Sequence, residues 1–81
     1  MERKQIFDKL NEIFQDVMDN DEIVVNDSSS SRDIDEWDSL AHIQLIIAIE
    51  KAFSVKISAS EANKWENVGA MVDDLLERIN K

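Results

Sequence analysis

The chain has no cysteine, no proline and a single glycine among its 81 residues. Without cysteine, neither a disulfide nor a thiolate metal site holds the fold, and any thiol chemistry has to be imported. The scarcity of turn-specialist residues argues against many short strands and favours helices. Positive charge is also in short supply: nine basic residues face eighteen acidic ones, a net charge of −9. That balance argues against nucleic acid or an anionic membrane as partner, both of which need a basic face, and makes basic protein surfaces the natural partners. No apolar run reaches the ~18 to 20 residues of a membrane span. Met1-Glu2-Arg3-Lys4-Gln5 leads into a mixed amphipathic stretch rather than the apolar block of a secretory signal. A cytoplasmic protein without membrane insertion is expected. With 33% charged and 43% hydrophobic residues the chain is globular rather than disordered. Its length fits one domain, residues 1–81, with a core of marginal stability and too little apolar surface for a deep pocket.

What is present is helical periodicity. Ile6, Phe7, Leu10, Ile13, Phe14, Val17 and Met18 recur at helical spacing and predict a first helix over residues 2–18. Asp19-Asn20-Asp21-Glu22 ends it, since short polar side chains compete for backbone hydrogen bonds. A long connection, residues 19–37, follows. In it Ile23-Val24-Val25 reads as an extended segment tacked onto the core, Ser28-Ser29-Ser30-Ser31 as a solvated linker, and Ile34 and Trp37 as pins for the loop's end. A second helix over residues 39–53 has apolar side chains on two stripes. Leu45, Ile46, Ile49 and Phe53, with His42 beside them, form a core face. Leu40, Ile43 and Ile47, flanked by Gln44, Glu50 and Lys51, form a separate face suited to a partner. Ser58 with Glu61 makes a capping box for a short third helix over residues 59–64, after which Trp65 packs. Asn67 caps a last helix that runs to about residue 80, with Gly69 slightly weakening its first turn. The fold class is all-α, a four-helix bundle.

The chemistry gathers at the head of the second helix. Asp38 is placed as its N-cap and Ser39 as its first residue. A hydroxyl there sits among unpaired backbone N–H groups at the positive end of the helix dipole, a good seat for a phosphoester. His42, three residues on, is either an edge-of-core histidine or the neighbour of a group attached to Ser39. Ser39, His42 and Asp38 do not make a convincing hydrolase, because one helix end offers no substrate pocket. Asp33, Asp35, Glu36 and Asp38 cluster like ligands for a hard cation, but no glycine supplies the sharp turn and Gln44 stands at the twelfth position from Asp33. These acids are read as a collar around Ser39 that attracts a basic partner, or as a solvated acidic loop. No catalytic residue and no metal site is expected.

Asp38-Ser39-Leu40, the helix that follows from Ile43 to Phe53 and the closing apolar helix resemble the acyl carrier protein family over almost the whole chain. The resemblance implies that Ser39 carries a 4′-phosphopantetheine arm, placed there by a phosphopantetheinyl transferase using coenzyme A and Mg²⁺. The arm's thiol would hold an acyl group as a thioester, with Asp38 and His42 beside the cofactor. It implies a free-standing monomer whose docking helix presents Leu40, Ile43, Gln44, Ile47 and Lys51 to acyl-activating and acyl-transferring enzymes with basic docking surfaces. Those enzymes would belong to a fatty-acid, polyketide or other specialised pathway. Trp37 stands where fatty-acid carriers often have a small residue, and Gln44 and Lys51 where they often have acids, which weighs against primary fatty-acid synthesis. Ser54 replaces the glycine that often follows the phenylalanine. An aminoacyl or D-alanyl carrier, and an unmodified helical adaptor, are the alternatives.

Overall fold

Ile6, Leu10 and Phe14 recur every four residues and are fully buried, as one stripe of a helix must be when that stripe faces a core. They belong to the first of four helices in a computed structural model that describes residues 2–80. The helices are α1 (Arg3–Val17), α2 (Ser39–Phe53), α3 (Ala59–Ala62) and α4 (Val68–Ile79), and the described residues contain no strand. The stripe of α1 packs against α2 and α4. Ala41, Leu45, Ile49 and Phe53 meet it from α2, and Val68, Met71, Val72 and Leu75 from α4. Each fully buried large aliphatic side chain contributes about 1.5–3 kcal/mol relative to exposure. Ile46, expected in the core, is only half-buried at its edge, and the small Ala41 takes a core place instead. A methyl side chain there lets the start of α2 lie close to its neighbours.

The long connection is a strap held to the bundle by hydrogen bonds. Ile23 and Val25 are buried while Val24 between them is exposed, the alternation of an extended segment. The Val25 amide donates to Asn11 Oδ1 at 2.7 Å and Gln15 Nε2 donates to the Ile23 carbonyl at 2.8 Å, so two polar residues of α1 hold this segment down. The serine run is not wholly the solvated linker expected. Ser29 is buried, its Oγ accepts from the Asn26 amide at 2.9 Å, and its carbonyl accepts from the Val68 amide at 2.7 Å. The strap thus satisfies a free amide at the head of α4 that the helix itself cannot.

Gly69 has a role opposite to the mild weakening expected of it. Its amide donates to the Asp27 carbonyl at 2.9 Å, and a Cβ on Gly69 would lie 2.7 Å from that same oxygen. Only glycine lets strap and helix approach so closely. Arg3 adds ion pairs to both Asp27 and Asp73, joining the start of α1 to strap and α4. At the other end of α2, Ser54 adopts the left-handed conformation (φ 55°, ψ 45°), which strains any residue with a Cβ. Its amide and that of Val55 both return to the Glu50 carbonyl.

α3 stops at Ala62, two residues short of its expected end. The Lys64 and Trp65 amides close tight turns on the Glu61 and Ala62 carbonyls, and the Trp65 indole donates to Asp74 Oδ2 at 3.0 Å. Arg78 completes the clasp. Its Nη1 donates to the Lys56 carbonyl at 2.9 Å, its Nε to Asp74 Oδ1 at 3.1 Å and its Nη2 to Glu61. The guanidinium, with the Ser58 hydroxyl and amide, pulls the Glu61 carboxyl down to about 2. A four-residue helix too short to persist alone is anchored this way at both flanks.

Gly69 and Ser54 yield substitution effects of opposite sign. Gly69→Ala normally gains about 1 kcal/mol in an open helix, but here it is expected to cost about 1–3 kcal/mol through overpacking against Asp27. Ser54→Gly is expected to stabilise by up to about 1 kcal/mol by relieving the left-handed turn. Denaturant midpoints of the two variants against the parent check both.

Candidate functional site

Asp38 ends the strap in an extended conformation, and its Oδ1 accepts from the Ala41 amide at 2.8 Å. With the Asp38 carbonyl accepting from the His42 amide at 2.9 Å, this sets the first residue of α2 at Ser39. Ser39 is exposed. Asp38 takes one of the unpaired first-turn amides of α2; those of Ser39 and Leu40 have no acceptor among the described residues. A phosphoester on Ser39 fits this place, because the hydroxyl is open to solvent and free donors lie beside it.

Beside Ser39 runs an open groove of about 510 Å³. Asp38, His42 and Ile43 line one side of it, and Ala62, Asn63, Trp65 and Glu66 line the other. The second wall was invisible in the sequence, since nothing in the segment between the last two helices signals that it faces Ser39.

Trp37 is the residue whose place in the site the sequence concealed. Its ring meets buried Phe14 edge to face, with centroids 5.0 Å apart and planes at 81°. Its indole Nε1–H donates to His42 Nδ1 at 3.0 Å. The Trp37 and His42 rings lie within 23° of parallel with centroids 6.0 Å apart, as two rings joined edge to edge by that bond. Since Nδ1 accepts, the neutral imidazole carries its proton on Nε2. Burial holds His42 below the usual histidine range. This arrangement removes the hydrolase reading on geometric grounds: the carboxylate of Asp38 caps α2, and the histidine's acceptor nitrogen faces Trp37 rather than the serine.

The second stripe of α2 faces outward. Leu40 is 66% exposed, Ile43 58% and Ile47 47%, unusually high for large aliphatic residues on one helix. Gln44 and Lys51 are exposed on the same side, Gln44 four residues after Leu40 and three before Ile47, and Lys51 four after Ile47. Glu50 is drawn away from it: its Oε2 accepts from the Ile57 amide at 2.9 Å and so serves the link to α3. Of these residues only Ile43 also borders the groove, so the exposed stripe and the groove meet at the head of α2.

Two of the acids ahead of Ser39 are occupied locally. Asp33 Oδ2 accepts from the Ser30 amide at 3.1 Å, and Glu36 Oε2 accepts from Asn20 Nδ2 at 2.7 Å. The described residues hold no group of three or more histidine, aspartate or glutamate side chains arranged for a metal ion, and no helix among them is long and apolar enough to cross a membrane.

The burial of His42 makes stability depend on pH. A histidine held below its unfolded value of about 6.5 binds its proton more readily when unfolded. Its contribution is therefore intact above about pH 6.5 and is lost as the pH falls through the lower folded value. The denaturant midpoint is expected to fall between about pH 7 and 5 more steeply in the parent than in His42→Phe.

Known proteins resemble this chain along most of its length. Residues 8–75 match the family model described as a phosphopantetheine attachment site. The chain is 38% identical over 77 residues to an acyl carrier protein of Rubrobacter xylanophilus, covering 95% of each chain. It is 36% identical over 80 residues to an acyl carrier protein of Borrelia garinii subsp. bavariensis, covering 96% of this chain and 98% of that one. The solution NMR structure of holo acyl carrier protein from Geobacter metallireducens superposes with a TM-score of 0.85 at 38% identity, covering 91% of this chain and 85% of that one. With the family model spanning most of its length and relatives this similar end to end, the chain belongs to the acyl carrier protein family, as a carrier with a phosphopantetheine prosthetic group and not as an enzyme.

Proposed function

We propose that residues 1–81 act as one monomeric cytoplasmic carrier domain whose 4′-phosphopantetheine is esterified to Ser39. The carrier presents an acyl thioester to enzymes of a fatty-acid, polyketide or other specialised pathway. The observation that carries this reading is the exposed Ser39 hydroxyl as first residue of α2, with a groove on one side and an exposed apolar stripe on the other. When bound, the group supplies the thiol that a cysteine-free chain lacks. The chain's own residues do the positioning. Asp38 sets where α2 begins and thus where the ester oxygen sits, while His42 stands one helical turn further on.

Leu40, Ile43, Gln44, Ile47 and Lys51 form the docking face for the phosphopantetheinyl transferase and for acyl-activating and acyl-transferring enzymes. Apolar contact supplies short-range fit, and the net charge of −9 steers basic partner surfaces toward the carrier. Tethering keeps the cargo at high effective concentration near each partner, so individual partner affinities need only be modest.

Intact-mass measurement after incubation with coenzyme A, Mg²⁺ and a promiscuous phosphopantetheinyl transferase tests the attachment. The parent is expected to gain the mass of one phosphopantetheine group and Ser39→Ala none. No gain across several transferases would favour the unmodified adaptor, and a gain that survives Ser39→Ala would place the group elsewhere.

Ile47→Glu separates docking from folding. It is expected to slow loading by such a transferase about tenfold, equivalent to ~1.4 kcal/mol, while stability stays within about 0.5 kcal/mol, as for a surface substitution. A large drop in the thermal midpoint would instead make Ile47 a core residue.

A further inference from the structure

Among the residues lining the groove beside Ser39 there is no lysine or arginine, and two carboxylates, Asp38 and Glu66, border it. A phosphodiester on Ser39 would therefore place an anion at an already acidic rim, with neutral donors as its available partners. The Trp65 indole is engaged by Asp74. The donors left are the free Ser39 and Leu40 amides, the Ser31 hydroxyl, the Asn63 side-chain amide and His42, and of these side chains His42 alone stands on the helix that carries Ser39. It lies three residues after Ser39 on α2, where helical neighbours have Cβ atoms about 5–6 Å apart. Helical side chains also lean toward the N-terminus, which carries the imidazole over the turn that holds Ser39.

We propose that His42 is a ligand of the prosthetic arm, its Nε2–H donating to the phosphodiester on Ser39, with Trp37 as the positioning residue that sets the ring's tautomer and orientation. This rests on Ser39 being the attachment point. The chain of contacts begins in the core: Phe14 is fully buried on α1 and holds the Trp37 ring. Trp37 has a donor and no acceptor, so its bond to Nδ1 can exist only while that nitrogen is unprotonated. The imidazole proton is thereby kept on the other nitrogen, and among the described residues Nε2 has no protein partner. A neutral donor with its tautomer locked in advance can bind the phosphodiester with little reorganisation.

The contact also links proton binding to loading. An anion beside the ring favours the imidazolium, so loading raises the affinity of His42 for its second proton. Taking that proton on Nδ1 forfeits the bond from Trp37, so protonation trades the clamp to the core for a charged contact with the arm. The charged groups around the ring are Asp38 at its own helix head and Glu66 across the groove; α1 contributes Phe14 through Trp37. Both carboxylates are present with and without the arm, so a comparison of the two forms isolates the phosphodiester.

The test uses full-length apo and holo protein, with loading of Ser39 first verified by mass. Imidazole NMR resonances of His42 are followed over about pH 5 to 8, together with the ³¹P resonance of the holo form. The expected result is a titration midpoint higher in holo than in apo by about one unit, a tenfold gain in proton affinity, and a ³¹P shift that follows the same midpoint. In His42→Phe holo protein the ³¹P resonance is expected to lose that midpoint. In Trp37→Phe, ¹⁵N imidazole shifts are expected to show a larger population with the proton on Nδ1. Equal midpoints in apo and holo, or a ³¹P titration unchanged in His42→Phe, would overturn the contact and leave the carrier reading standing. Failure of Ser39 to load would remove the carrier reading before any titration.

Discussion

The hydrogen bond from the Ala41 amide to the Asp38 carboxylate decides where α2 begins, and the rest of the molecule follows from that register. With Ser39 as first residue, Leu45, Ile49 and Phe53 meet α1 and α4 while Leu40, Ile43 and Ile47 turn outward. Moving the start by one residue would rotate each side chain by about 100° and turn the exposed stripe toward the core. One cap thus sets the exposed Ser39 hydroxyl, the outward apolar stripe and the packing face together.

The strap between α1 and α2 shows how a chain without proline holds a long connection in place. Asn11 and Gln15 bind its backbone from α1, and Ser29 and Asp27 offer carbonyls to the first amides of α4. These bonds serve both sides, since they satisfy the strap's polar backbone and the helix amides that lack an internal partner. Trp37 ends the strap and joins it to Phe14 in the core and to His42 at the site. A disturbance of core packing near Phe14 therefore has a short physical route to the groove.

α3 is held differently. Its single turn contributes Ala62 to the core, and polar contacts from Arg78 bind its flanks. Because Ala62 and the residues that follow α3 border the groove, that side of the site rests largely on hydrogen bonds and ion pairs, whereas the α2 side rests on buried apolar packing. Exposed ion pairs are weaker and more sensitive to salt than apolar burial, so the two walls have different stability.

What was legible in the sequence is what local physics controls. The four helices, the caps at Asp38, Ser58 and Asn67 and the two stripes of α2 come from periodicity and capping, which depend on residues within a turn of one another. Ser39 as a seat for a phosphoester follows from the same local rules, while the phosphopantetheine came from family resemblance. Contacts between residues distant along the chain were not legible. Ser29 looks like linker until its carbonyl is seen on Val68, and Gly69 looks like a weak helix residue until Asp27 is found against it. Glu50 looks free until it accepts from Ile57, and Trp65 and Glu66 carry no sign that they border Ser39. The amino-acid sequence by itself determined the helices, the start of α2 and its amphipathic division, because those are set by spacing and backbone hydrogen bonding. Only the tertiary structure decided the groove, the Trp37–His42 pair and the need for glycine at position 69, because each requires chain segments that the sequence keeps apart or orientations that spacing does not specify.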